Sequence, residues 1–397
     1  MSRCLKACGI EHVVLERGRI GERWRVGSWD SLRLLTPNWM TRLPGWSYCG
    51  PDRDGFMKAA ELPPFLETYA ASFEAPIEMH TTVHSVRNAG GGYRVETSRG
   101  TWQAQALVIA AGECQQPLVP PMADRLTPEI RQITGASYKR PKDLPIGRVL
   151  VVGASASGIQ LAQEIHRSGR PVILSVGPHT RLTRRYRGRD IMAWMDAAGI
   201  LDERAETVAD IDMARRQPSL QLVGSPEGRT IDLHALREQG VRIMGRVTEI
   251  QGGSVGFSDD LAETTAAADR RLARLLGRID ALINTGVAGR LPPPDLPASG
   301  ILHSPRTTID LVSSGVRTVV WATGYVRRYP WLNVPVLDRY GEIIHDGGVT
   351  PAAGLYVLGL RFLRRRKSNF IDGVGRDAEE IATRVAKYLR AAHSVAA

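Results

Sequence analysis

Apolar runs and helical stretches alternate along this chain, most clearly over residues 148–176. Arg148-Val149-Leu150-Val151-Val152 has consecutive rather than alternating apolar residues, which predicts a strand buried on both faces. Residues 153–158 are a turn of small residues, 159–168 predict a helix closed by Gly169, and 171–176 predict a second strand. The N-terminus repeats part of this order. Residues 5–7 read as the end of a helix, Gly9 suits its C-cap, and His12-Val13-Val14-Leu15 reads as a strand with Glu16 at its end. Residues 93–97 and 102–106, around Gly100, predict a hairpin leading into the apolar strand 107–112. Residues 262–283 predict an amphipathic helix with Leu272, Leu275, Leu276 and Ile279 on one side, a packed helix sooner than a lid or an interface.

The turn Gly153-Ala154-Ser155-Ala156-Ser157-Gly158 carries the first chemistry. Between a strand and a helix, small residues let backbone N–H groups approach a pyrophosphate at the helix N-terminus, where the dipole also favours an anion. Gly153, Ser155, Ser157 and Gly158 are therefore candidate dinucleotide contacts. A site selective for NAD carries an acid at the end of its second strand, to bind the ribose 2′-hydroxyl. Here that strand ends Ser175-Val176-Gly177, and Arg181, Arg184, Arg185, Arg187 and Arg189 follow. Guanidinium groups suit a 2′-phosphate, so NADPH is expected, with Arg181, Arg184 and Arg185 as its readers.

Composition narrows the class. The chain has 397 residues, 43% hydrophobic and 23% charged, as in soluble proteins of two or three domains. It contains no apolar run of about 18 residues, and its first ten residues are too polar for a signal peptide. Four scattered cysteines form no C-x-x-C or zinc pattern, and none of the nine histidines has metal-ligand company. A reducing cytoplasm is the expected compartment. The net charge of +11 raises a nucleic-acid partner, but the arginines are spread along the chain, with local clusters at 181–189 and 361–367 and no nucleic-acid motif. Cofactor phosphates and an anionic substrate account for only some of this charge.

Glu16 stands where a Rossmann strand places the acid for an adenosine ribose. The glycine fingerprint belongs roughly 20 residues before such an acid, which is upstream of Met1. The expectation is a first unit without its first strand and glycine loop.

The segments Gly21-Glu22-Arg23-Trp24-Arg25, Trp29-Asp30-Ser31-Leu32-Arg33-Leu34-Leu35-Thr36-Pro37 and Arg42-Leu43-Pro44-Gly45, with Ala322-Thr323-Gly324-Tyr325 and Phe370-Ile371-Asp372-Gly373-Val374-Gly375, resemble the class B flavin monooxygenases, especially the indole-pyruvate-monooxygenase-like branch. The resemblance covers the chain apart from the missing start. It implies an α/β protein of two nucleotide-binding, three-layer Rossmann-like domains, with the NADPH domain inserted in the FAD domain: 1–145 and 316–397 for FAD, 146–315 for NADPH. It implies that Glu16, Arg17, Trp24, Arg33, Val83, Gly112 and Asp372 lie at FAD, that Thr323 and Gly324 lie where the domains meet, and that a helix over 377–389 closes the flavin site. Asp372-Gly373, Trp24, Arg33 and Gly112 are expected around one cavity. The implied activity is monooxygenation through a C4a-(hydro)peroxyflavin, with dioxygen and a small organic molecule as partners, no catalytic protein nucleophile, and an oligomer left open. Two departures bear on the chemistry. No histidine precedes the second glycine turn, which disfavours Baeyer–Villiger oxidation, and Val326-Arg327-Arg328 replaces the common asparagine after the A-T-G-Y stretch. The alternatives are a degenerate, non-catalytic nucleotide-binding or regulatory protein and, less favoured, a pyridine-nucleotide reductase. A disulfide reductase needs two cysteines near the start on the flavin face, whereas Cys4 and Cys8 are i, i+4 on a helix.

Overall fold

The computed structural model describes residues 1–287, 291–294 and 298–396. Its largest sheet has five parallel strands in the order Arg131–Thr134, Val316–Trp321, Arg148–Val152, Val172–Ser175, Arg242–Met244. Period-two alternation sorts its side chains into two layers. Val149, Val151, Leu174 and Val320 face the helix Ala156–Arg167, whose Ile159, Leu161, Ala162 and Ile165 are buried at helical spacing. Leu150, Val152, Ile173 and Val319 face the opposite way, onto Val255 and Phe257 of the antiparallel strands Val247–Gln251, Ser254–Phe257 and Thr308–Asp310. The unit is thus three layers: helices, parallel sheet, antiparallel sheet. Two of its five strands, Arg131–Thr134 and Val316–Trp321, lie outside the span 146–315, so those boundaries cut through the sheet. We place this unit's limits near residues 130 and 322 instead.

The other unit holds the chain's two ends. Val14–Leu15 pairs in parallel with Ile77–Glu78, and Leu107–Ile109 pairs in parallel with Leu355–Val357. The two pairs share no ladder among the described strands, yet Leu15, Leu107, Val108, Leu355 and Val357 all pack into one core. The predicted hairpin forms from Gly92–Thr97 and Gly100–Ala104, extended by Val83–Ala89. The N-terminal helix Ser2–Ala7 ends at Gly9, φ +68°, and buries Cys4 and Leu5 beside the C-terminal helix Val374–Ala396. That long helix buries Ala378, Ile381, Ala382 and Val385 along one stripe.

The helix Leu261–Leu282 is a packed brace. Leu272, Leu276 and Ile279 pack against Leu182, Tyr186 and Met195. Its polar face supplies Asp269 to Arg181 and Asp280 to Arg187. No helix among the described residues is long and apolar enough to cross a membrane.

Candidate functional site

The strand Arg148–Val152 delivers Gly153 at φ +107°, where an added Cβ would lie 2.5 Å from the carbonyl oxygen of Ala322. A Cβ on Gly158 would lie 1.8 Å from the carbonyl oxygen of Gly153. Both positions admit only glycine, because the helix start closes directly onto the strand end. Ser155, between them, is the N-cap of the helix and its hydroxyl makes no capping bond; Ser157 is half-buried. A turn hydrogen bond runs from Ile159 N to Ser155 O (3.2 Å), so the N–H groups of Ala156, Ser157 and Gly158 precede the helical ladder and point out of its end. Buried Gln221 donates to Ala154 O at 2.7 Å and pins the turn. The arrangement fits an anionic pyrophosphate.

The neighbouring strand Val316–Trp321 continues into Thr323 and Gly324. Thr323 Oγ1 donates to Leu118 O, Leu118 N donates to Gly324 O at 2.9 Å, and Tyr325 pairs with Pro117. The A-T-G-Y stretch therefore lies along the crossing between the two units. Gly112, Gly324 and Gly359 have φ of +74°, +92° and +81°, and a Cβ on any of them would meet nothing within 4 Å. No protein atom fills the space in front of them.

At the adenosine end expected for FAD, Glu16 ends the strand Val14–Leu15 and accepts Gly18 N on Oε1 at 2.7 Å. Thr81 N donates to Glu16 O, which brings the start of the Val83–Ala89 strand alongside; Val83 is half-buried and Arg17 exposed. At the end expected for the flavin ring, Trp24 packs against Leu34, Met57 and Leu62. Its neighbour Arg23 lies over the Tyr325 ring at 5.1 Å, so this segment reaches the A-T-G-Y stretch. Arg33 bridges Lys58 and donates to Phe56 O at 2.6 Å. The Asp372 carboxylate is 3% exposed and engaged by Arg42 (2.5 Å) and Lys367 (3.3 Å). Its side chain thus ties this loop to the 42–45 segment, while Ile371 beside it packs against the same Leu34, Met57 and Leu62 cluster as Trp24. Among the described strands, neither the pair Val14–Leu15/Ile77–Glu78 nor the pair Leu107–Ile109/Leu355–Val357 has a third strand bonded to it.

The hub that joins these pieces carries no motif. Glu113, directly after Gly112, accepts from Arg327 (3.3 Å), Arg361 (3.0 Å) and Asn369 (3.1 Å). It links the crossing, the A-T-G-Y stretch and the loop before Asp372. Only its place next to Gly112 could have marked it. Arg361 also donates to Gln217 O and Ser219 Oγ of the nucleotide unit. The rest of the 361–367 basic run is paired inside the protein: Arg364 and Arg365 with Glu380, Arg365 with Asp377, Arg366 with Glu203, Lys367 with Asp196 and Asp202. This cluster is therefore a set of internal ion pairs and not a free basic patch.

His345, close to Arg215 and Arg327, has its pKa lowered to about 4, first by burial and then by Arg215. An unfolded histidine takes a proton near pH 6.5, so between pH 6.5 and 4 the unfolded chain binds the proton and the native one does not. Stability should fall over that window as pH drops, by at most about 3 kcal/mol, and His345→Asn should flatten the fall in denaturation midpoints measured at several pH values.

The arginines after the second strand divide. Arg181 is buried and bound to Asp232 (2.6 Å), Asp269 (2.5 Å) and Ala298 O. Arg184 is 1% exposed and bound to Asp190 and Leu35 O. Arg185 is exposed. Two of the three residues expected to read the 2′-phosphate thus hold the fold together instead. The four cysteines are free, and burial pushes the Cys4 thiol up, away from the reactive thiolate.

A two-unit nucleotide fold with this crossing has known relatives. The family model for pyridine nucleotide-disulphide oxidoreductases matches residues 1–196. An uncharacterized CzcO-like oxidoreductase of Geobacillus kaustophilus is 31% identical over 92% of this chain and 88% of that protein. A probable indole-3-pyruvate monooxygenase, YUCCA4 of Arabidopsis thaliana, is 28% identical over 42% of this chain and 41% of its own length. Among solved structures, a flavin-containing monooxygenase from Stenotrophomonas maltophilia superposes with a TM-score of 0.62 at 17% identity, covering 95% of this chain and 98% of that one, which shows a shared fold. These likenesses set aside the non-catalytic alternative. The chain belongs with the CzcO-like oxidoreductases, is similar to the class B flavin monooxygenases, and is an enzyme of the flavin-dependent oxidoreductase class.

Proposed function

We propose that this flavoprotein uses FAD and NADPH to insert one oxygen atom of dioxygen into a small organic substrate. The observation that carries the reading is the crossing at Leu118, Thr323 and Gly324, which directly follows Ala322, the residue whose carbonyl packs on the Gly153 turn of the nucleotide unit. A bound flavin, once reduced, supplies the reactivity toward dioxygen, so no protein nucleophile is needed. The chain's own part is to hold and orient. The N–H groups of Ala156, Ser157 and Gly158 take the nicotinamide dinucleotide's pyrophosphate, and Glu16 takes an adenosine ribose of FAD. Arg17 and Val83 flank that adenosine end. Trp24, Arg33 and the Ile371-Asp372 loop wall the ring end. The hub of Glu113, Arg327, Arg361 and Asn369 ties the two units together through the bonds of Arg361 to Gln217 and Ser219. The reaction balances as NADPH, a proton, dioxygen and substrate giving NADP⁺, water and oxygenated substrate. A soft nucleophile such as an amine or sulfide is the favoured substrate class.

The full chain loaded with FAD and mixed with NADPH under anaerobic conditions should lose its flavin absorbance, at least about tenfold faster than with equal NADH. Admitting labelled dioxygen with a sulfide should then place the label in the product. Quantitative release of hydrogen peroxide with every nucleophile tried, or transfer of the electrons to a disulfide, would remove the monooxygenase reading.

A further inference from the structure

We propose that Arg246, which follows the strand Arg242–Met244, is the residue that reads the 2′-phosphate of the bound dinucleotide. The inference rests on the reading of this unit as an NADPH site. Val172–Ser175 and Arg242–Met244 are parallel neighbours in register at Ser175 and Met244, so the residues after them share one end of the sheet. With the pyrophosphate on the helix start after Gly153, the adenosine ribose lies over the end of Val172–Ser175. That end is Val176-Gly177, with no side chain at 177 to meet the ribose. The stem of Arg246 fills the place: a Cβ built on Gly177 would meet its Cδ at 3.5 Å, Cγ at 3.6 Å and Cβ at 3.8 Å.

Its exposure and its fixed backbone separate Arg246 from the buried and paired arginines that follow the second strand. Its side chain is exposed and has no hydrogen-bond or ion-pair partner among the described residues, unlike Arg181, Arg184 and Arg187. Its backbone is fixed on both sides. Ser175 Oγ donates to Gly245 O (2.9 Å) and accepts Val247 N (3.1 Å), while Ser258 accepts Arg246 N on Oγ (3.0 Å) and donates its own N–H to Arg246 O (2.8 Å). Gly245 is required, since a Cβ there would lie 2.0 Å from Ser258 O. A turn held at four points thus presents one free guanidinium at the end of the second strand. The acid bonded to this turn, Asp260, accepts the Ser258 hydroxyl. A second exposed cation, Arg271, donates to His179 O at 3.3 Å in the same loop and adds positive field there. A guanidinium pairs with a phosphate through two parallel charge-assisted bonds, which a ribose hydroxyl cannot match.

Calorimetric titration of the full chain with adenosine 2′,5′-bisphosphate and with 5′-AMP tests this without turnover. The wild type should bind the bisphosphate more tightly. Arg246→Ala should weaken the bisphosphate about 10- to 100-fold and leave AMP unchanged, and Arg246→Lys should recover part of the loss, as a point charge without the planar fork. An unchanged unfolding midpoint would show that the variant is folded. Retention of the wild-type preference in Arg246→Ala would overturn the role of Arg246 and leave NADPH use intact, with exposed Arg185 next to test. Equal weakening of both ligands would also overturn it, because the residue would then hold adenine and not the 2′-phosphate. A wild type that does not distinguish the two ligands would end the NADPH reading itself, and this inference with it.

Discussion

Gly158→Ala is expected to lose at least about 100-fold in affinity for NADPH and for 5′-AMP alike. The added Cβ would sit 1.8 Å from the carbonyl oxygen of Gly153. That atom is backbone, and it has no room to yield. Gly153 holds φ +107°, its own face lies against Ala322 O, and its N–H donates to Ser175 O at 3.0 Å. Relief must come from the helix, whose start would have to shift by more than about 1 Å to restore an ordinary contact. The three N–H groups of Ala156, Ser157 and Gly158 would move with it, and a misplacement of that size costs most of a preorganised site's binding. Gly277→Ala is the control. It lies in the helix Leu261–Leu282, an added Cβ meets nothing within 4 Å, and alanine should add up to about 1 kcal/mol of stability there without touching binding. Calorimetry on both variants, each checked for folding, measures the contrast. A Gly158→Ala protein that binds within a few-fold of the wild type would show that the helix start does not cradle the pyrophosphate.

The turn was legible in the sequence because its signal is local. The apolar run 148–152, the small residues after it and the helix behind them occupy one stretch of chain, and the observed strand Arg148–Val152 and helix Ala156–Arg167 follow that pattern closely. What surrounds the turn was less legible, because sheet order is set by partners far away in sequence. Nothing in 131–134 announces an edge strand against Val316–Trp321, yet that pairing moves both ends of the nucleotide unit. The periodicity of 262–283 gave the helix and its buried side but not what the buried side covers. Gln221 and Glu113 were invisible for a similar reason. Each is a single polar residue whose importance comes from a carbonyl or a guanidinium tens to hundreds of residues distant. The arginines show the limit most directly. Arg184 and Arg185 are adjacent and identical in type, and one is buried while the other is exposed. Strand alternation allows that split, but only Asp190, Leu35 and Phe56 decide which arginine turns inward. Arg246 carries no signal in the sequence, since a single arginine after a third strand matches no pattern.

Arg184→Ala should therefore act on stability and leave cofactor choice alone. The side chain is 1% exposed, pairs with Asp190 at 2.5 Å, donates to Leu35 O at 2.8 Å and stacks on Phe56 at 4.8 Å, joining the nucleotide unit to the 33–57 segment. Its Nε is already buried without an acceptor, so the site has no spare hydrogen bonding to offset a loss. Truncation would leave Asp190 with Met192 N as a remaining donor, open a cavity against Phe56, and strand the Leu35 carbonyl. Breaking a buried pair by removing one partner costs about 3–5 kcal/mol, which is a large part of a domain's net stability. Arg184→Met keeps most of the volume and should recover part of this loss. Adding Asp190→Asn to it removes the orphaned charge and should recover more, whereas Asp190→Asn alone should destabilise. Denaturant midpoints for the four variants test the order. Folded samples of Arg184→Ala should still prefer adenosine 2′,5′-bisphosphate to 5′-AMP by the wild-type ratio, because the guanidinium faces the protein and not the nucleotide. If Arg184→Ala were as stable as the wild type and lost that preference, Arg184 would be the 2′-phosphate ligand, and the buried latch described above would be wrong.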